Sequence, residues 1–167
     1  MTWLRNTAIA LVFALPAITA TAGGEAVSDF TLRDLQDQKV TLSEHKDEVV
    51  LLQFWATYCG PCKVEMKHLN EMYNEMKAAD KPFVVLSVNS DDARMKRQVE
   101  RYIAQKQYTF PVLLDQDSSV TGHYNPNKTL PYNVLIGKDH TIAKRYSGYN
   151  PGDEKKLHAD VEAELAK

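Results

Sequence analysis

The apolar run Val49-Val50-Leu51-Leu52-Gln53-Phe54-Trp55-Ala56 leads almost directly into Cys59-Gly60-Pro61-Cys62, and this junction constrains the fold more than any other stretch of the 167 residues. A continuous apolar run of this length reads as a strand buried on both faces. Behind the cysteines, Val64, Met66, Leu69, Met72, Tyr73 and Met76 recur at helical spacing as far as Asp80-Lys81-Pro82, which ends the helix. The only two cysteines of the chain therefore lie at a strand-to-helix turn. A helix N-terminus favours the thiolate of the first sulfur, so the pair suits switching between dithiol and disulfide.

The remaining pattern surrounds that junction with a sheet. Asp29-Phe30-Thr31-Leu32 and Lys39-Val40-Thr41-Leu42 read as an N-terminal strand pair, and Phe83–Val88 reads as a second buried strand. A helix capped by Ser90 or Asp91 follows, with Met95, Val99, Tyr102 and Ile103 on its apolar face. Next come a short strand at Phe110–Leu114 and a brief helix opened by Asp117 or Ser118. Tyr132–Ile136 and Thr141–Tyr146 form a hairpin turning at Gly137–His140, and a terminal helix carries Leu157, Val161 and Leu165. Strands separated by helices need parallel crossovers, whereas a short turn allows only an antiparallel hairpin. The expected architecture is α/β, a mixed central sheet with helices on both faces.

Length and composition set broad bounds. The chain suffices for one domain, and its hydrophobic share of 44% and charged share of 25% are those of an ordinary globular protein. A formal charge of −2 gives no reason to expect nucleic acid as a partner. Residues 1–22 read as a signal peptide: Arg5 precedes an apolar stretch from Thr7 to Ile18, which ends in the small-x-small pattern Ala20-Thr21-Ala22. The stretch is shorter than the roughly 20 residues of a spanning helix. Cleavage after Ala22 would leave residues 23–167 as an exported, periplasmic domain, or a membrane-anchored one if the segment is retained. In an oxidising compartment a cysteine pair can be a staple, half of a metal site or a catalyst. A Cys59–Cys62 bridge closes so small a loop that it stabilises by only about 2 kcal/mol. A zinc site needs further ligands, and His45, His68, His123, His140 and His158 are scattered without ligand spacing. No metal and no cofactor beyond the cysteine pair is expected; redox work is the favoured reading.

Phe54-Trp55-Ala56-Thr57-Tyr58-Cys59-Gly60-Pro61-Cys62-Lys63 resembles the FWAxWCxPCK signature of exported TlpA/ResA-like thiol–disulfide oxidoreductases of the thioredoxin fold, with Tyr58 where tryptophan is usual. The resemblance spans the chain from about Ser28 to the C-terminus. It implies that Leu130-Pro131 carries a cis-proline beside the cysteines and that Ser90–Asn125 holds an inserted strand and helix. By the same resemblance Cys59 is the nucleophile and Cys62 the resolving thiol. Trp55, Tyr58, Gly60, Pro61, Leu130 and Pro131 would shape or line the place of the partner. Two positions depart from thioredoxin itself. Gln53 replaces a buried aspartate, which leaves Glu65 as a candidate proton relay, against its ordinary reading as a solvated helix residue. Lys67 stands where a proline kinks the active-site helix.

The resemblance implies an enzyme that exchanges with protein thiols and disulfides as a monomer. It would act as a reductant, for instance of the haem-attachment cysteines of apocytochromes c, supplied by a membrane thiol reductant. A DsbA-like oxidant is the nearest alternative. A peroxidase needs a threonine three residues before its cysteine, where Ala56 stands here, and a copper chaperone needs a histidine ligand and wider cysteine spacing.

Overall fold

The computed structural model describes residues 24–167, so the expected signal peptide and its cleavage site lie outside the described residues. Eight strands form one sheet: β1 Glu25–Ala26, β2 Thr31–Asp34, β3 Lys39–Thr41, β4 Val49–Trp55, β5 Phe83–Asn89, β6 Val112–Leu114, β7 Tyr132–Ile136 and β8 Thr141–Ser147. Four α-helices accompany them: α1 Gly60–Ala78, α2 Lys96–Lys106, α3 Ser119–Tyr124 and α4 Asp153–Leu165. The strand order is β1-β8-β7-β4-β5-β6-β2-β3. β4, β5 and β6 are parallel neighbours, and the hairpin β7–β8 lies antiparallel against the other side of β4. The N-terminal strand pair extends the sheet at β6.

Strand alternation explains the layers. Trp55 packs against Tyr102 of α2 with ring centroids 5.7 Å apart, on the side where α1 meets α4. Its neighbour Phe54 points to the opposite face, where it stacks at 5.8 Å on Tyr124 of α3. Helices therefore cover both faces, as the sequence pattern implies. Every residue of β4 and β5 is buried, the signature of strands in the middle of a covered sheet. The active-site helix runs uninterrupted for 19 residues through Lys67.

Several local expectations change. β1 was not expected; two residues on the β8 edge are too short to show any alternation, and Glu25 is tied there by an ion pair to Arg145 at 2.6 Å. The side chain that opens the turn before α2 is Asp92, which accepts the Arg94 N–H; Ser90 and Asp91 are not its caps. At α3, Asp117 accepts the Ser119 N–H as anticipated, but Ser118 caps nothing, and buried Asp115 takes the N–H groups of Val120 and Thr121. Val64, expected on the packed stripe of α1, is half exposed.

Candidate active site

Cys59 is the N-cap of α1, in extended conformation with the helix beginning at Gly60 and Pro61 in its first turn. Its sulfur is disulfide-bonded to Cys62 and accepts the Cys62 N–H at 3.2 Å. The two sulfurs differ in access. Cys62 is fully buried, while Cys59 retains 7% exposure and is flanked by exposed Tyr58, Gly60 and Pro61. Of the two bonded sulfurs, that of Cys59 is therefore the more open to an incoming thiolate, and attack there would release Cys62. Tyr58, at 78% exposure, and Val64, at 50%, are the large apolar side chains left outside among the described residues. Tyr58 directly precedes Cys59, and Val64 lies on α1 five residues after it.

Leu130-Pro131 is cis, as the resemblance implies. The register Phe54↔Tyr132 brings the start of β7 to the end of β4 from which the cysteine loop departs. Gly148 at the end of β8 donates its N–H to the Pro131 carbonyl at 2.8 Å, and holds a positive φ of 77° that glycine adopts without strain. Leu130 and Tyr58 share the wall of one cavity. Tyr58, Gly60, Pro61, Leu130 and Pro131 thus gather at the cysteine end of the sheet. Trp55 does not join them as a contact residue. It is wholly buried beneath the loop against Tyr102, so it supports the site and cannot touch a partner directly.

Glu65 is also buried, at 3% exposure, which overturns its reading as a solvated helix residue. It lies one turn beyond Cys62 on the same buried face of α1. Below it the sheet register aligns Gln53 with Ser87 on one side and Asn133 on the other. Gln53 Nε2 donates to Glu65 Oε2 at 2.9 Å, Asn133 Nδ2 donates to Glu65 Oε1 at 2.7 Å, and Ser87 Oγ donates to Gln53 Oε1 at 3.0 Å. Burial pushes the Glu65 carboxyl up to about 7, while the two amide donors hold it back. A carboxyl poised there gives or takes a proton near neutrality. A cavity of about 270 Å3 bounded by Arg145, Gly148, Asp153 and Lys156 reaches Glu65 and Asn133 from the β8–α4 side.

Asp91 was missed as part of the site. Its buried carboxylate accepts the Thr57 N–H at 2.7 Å, the Thr57 hydroxyl at 3.1 Å and Asn89 Nδ2 at 2.8 Å. It therefore ties the end of β5 to the loop two residues before Cys59. The signal for Asn133 and Ser87 was their polarity within apolar strands; for Asp91 only the fold brings it to Thr57. No group of three or more His, Cys, Asp or Glu converges as a metal site among the described residues.

Residues 23–145 match the model of the AhpC/TSA family. The chain is 33% identical over 129 residues to the thiol-disulfide oxidoreductase ResA of Halalkalibacterium halodurans, covering 77% of this chain and 70% of that protein. It is 31% identical over 142 residues to ResA of Geobacillus kaustophilus, covering 85% and 79% respectively. Among solved structures, the crystal structure of a thiol:disulfide interchange protein assigned to DsbE from Chlorobium tepidum superimposes with a TM-score of 0.77 at 30% identity, over 85% of this chain and 96% of that one. Together with the cysteine turn, the cis-proline and the thioredoxin-like sheet, these similarities make the chain a member of the AhpC/TSA family and, within it, a ResA-type thiol–disulfide oxidoreductase.

Proposed function

We propose that this oxidoreductase works as an exported, monomeric reductant of protein disulfides, with Cys59 as nucleophile, Cys62 as resolving thiol and Glu65 as the proton acceptor for Cys62. In the reduced enzyme the Cys59 thiolate attacks one sulfur of the partner's disulfide. A Cys59–partner bond forms, and the partner's other sulfur leaves as a thiolate that takes up a proton. Cys62 then passes its proton to the Glu65 carboxylate, and its thiolate attacks Cys59. The partner departs with its second thiol, and the Cys59–Cys62 disulfide forms. Two electrons have moved to the partner, and a membrane thiol reductant restores the dithiol. Haem-attachment cysteines of apocytochromes c are the substrate class that the family resemblance favours. The expected leader in residues 1–22 supports periplasmic or other extracytoplasmic work.

The single observation that carries the proton step is the burial of Glu65 on the Cys62 face of α1, held by Gln53 and Asn133. Tyr58, Gly60, Pro61 and Val64 would receive the partner's apolar surface, with Leu130-Pro131 lying alongside its extended chain. A peroxidase is disfavoured on two counts. Ala56 occupies the place of the required threonine, and the neighbouring Thr57 hydroxyl is committed to Asp91. Two measurements test the reading. Cys62→Ser should accumulate mixed disulfides through Cys59 in cells, and absence of Cys59-linked adducts would sink it. The reduction potential should lie near thioredoxin's roughly −270 mV; a value near the roughly −120 mV of DsbA would reverse the direction of electron flow.

A further inference from the structure

A cavity of about 240 Å3 opens beside the cysteine turn, between Tyr58, Ser90, Ser118, Thr121, Lys128 and Leu130. Its position follows from the elements that build it. Tyr58 precedes Cys59, Ser90 follows β5, Ser118 precedes α3, Thr121 lies within it, and Leu130 precedes the cis-proline. A partner chain lying over Cys59 alongside Leu130-Pro131 would therefore place a residue next to its reacting cysteine over this opening.

The chemistry of its wall is unusual for this molecule. The lining carries four hydroxyl side chains and one ammonium, Lys128, with no carboxylate. Four other cavities among the described residues each carry carboxylates: Glu71, Glu75 and Glu154; Asp37 and Asp117; Asp139 and Glu164; Glu65 and Asp153. The contrast is drawn on a chain of net charge −2. Lys128 enters none of the ion pairs within 4 Å among the described residues. The acids next in sequence to the lining residues Ser90 and Ser118 accept bonds from other groups, Asp91 from Thr57 and Asn89 and Asp117 from the Ser119 N–H, while Asp115 accepts the N–H groups of Val120 and Thr121. The main chain at Lys128 is also held in place. Its N–H donates to the Asn125 carbonyl at 2.9 Å, and buried Asn125 donates Nδ2 to the Thr129 carbonyl at 2.8 Å. The Thr121 hydroxyl in the same wall has no hydrogen-bond partner.

We propose that this cavity is a specificity subsite that takes an acidic side chain flanking the partner's reacting cysteine, with Lys128 as its counter-charge and the hydroxyls as donors. The proposal rests on the reading of this chain as a reductant of protein disulfides. About 240 Å3 is several times the ~30 Å3 that one water occupies in the liquid, room enough for one carboxylate side chain.

Three otherwise identical disulfide peptides test it, with both residues flanking the reacting cysteine set to Glu, to Gln or to Lys. At low ionic strength, reduction by the wild-type dithiol should rank Glu above Gln above Lys, by about three- to fivefold per step, the range of a partly exposed ion pair. Lys128→Glu should invert that ranking, Lys128→Gln should flatten it, and about 1 M salt should compress it. Lys128 is exposed and its replacements keep the same backbone position, so thermal melting should stay within a few degrees for both variants. The same ranking in Lys128→Glu as in wild type, or equal rates for the three peptides with wild type, overturns the subsite while leaving the reductant reading intact. Failure of wild type to reduce even the Gln peptide overturns the reductant reading and the subsite with it.

Discussion

Glu65 and Asp91 are both buried carboxylates flanking the cysteine turn, one three residues after Cys62 and the other bonded two residues before Cys59, but their partners differ in kind. Glu65 is held by the side-chain amides of Gln53 and Asn133, each itself within the sheet. Asp91 grips the backbone N–H of Thr57, its hydroxyl and Asn89. A carboxylate that satisfies a main-chain N–H fixes the path of the chain, and losing it leaves buried donors unpaired. One supported only by neutral side-chain amides, with burial pushing it up to about 7, is free to change protonation without moving the backbone. On the proposed mechanism, the same functional group therefore anchors the loop on one side of Cys59 and handles protons on the other.

The largest effect should come from breaking the anchor. Asp91→Ala leaves the Thr57 N–H and its neighbours without an acceptor, and should cost about 3 kcal/mol and about 10 °C in melting temperature. Thermal unfolding of the oxidised protein checks this, and a melting point within about 2 °C of wild type would remove the anchor role.

Breaking the proton side should show instead in pH dependence. Glu65 has a folded value raised from 4.5 to about 7, so the folded state favours its neutral form. The stability that this form contributes is fully present below about 4.5 and is lost as pH rises through about 7. The change is on the order of 3 kcal/mol. Glu65→Gln, neutral throughout, should lose that slope, which denaturant titrations of the oxidised proteins between pH 4 and 8 would reveal. Next in size, Gln53→Leu removes one of the donors that hold the carboxyl down, and should move the Glu65 midpoint upward by about one pH unit. Carboxyl chemical shifts in the oxidised protein, where neither cysteine titrates, give that midpoint directly. The smallest effect belongs to the exposed rim: Val64→Asp should raise KM for a disulfide protein about threefold, with kcat within about twofold.

The same contrast explains what was legible before the structure. The cysteine turn, the buried strands β4 and β5 and the hairpin rest on local pattern, and each stands where the pattern puts it. Gln53 was visible as a departure, and Glu65 as a candidate by spacing alone. Its burial was not visible, because the amides that satisfy it come from β4 and β7, 12 and 68 residues away in sequence. Asp91 read as a helix cap because an acid after a strand commonly is one; its bond to Thr57 spans 34 positions and exists only because β4 and β5 pair in parallel. Val64 fits the apolar spacing, but the packed face of α1 runs through Cys62, Glu65, Met66 and Leu69, and Val64 lies off it, half exposed. Trp55, at the end of the apolar run before the cysteines, packs beneath the site as a core residue, with Tyr102 of α2 against its ring.

The central claim is that Glu65 takes the proton from Cys62 when the mixed disulfide resolves. The rate at which a preformed Cys59 mixed disulfide releases its partner, measured from pH 5 to 9 in wild type and in Glu65→Gln, tests it most directly. The account predicts a wild-type rate that rises through an inflection near 7. The variant should be slower at pH 7 by tenfold or more, its rise displaced to higher pH as Cys62 loses its proton unaided. Superimposable profiles for the two proteins would contradict it.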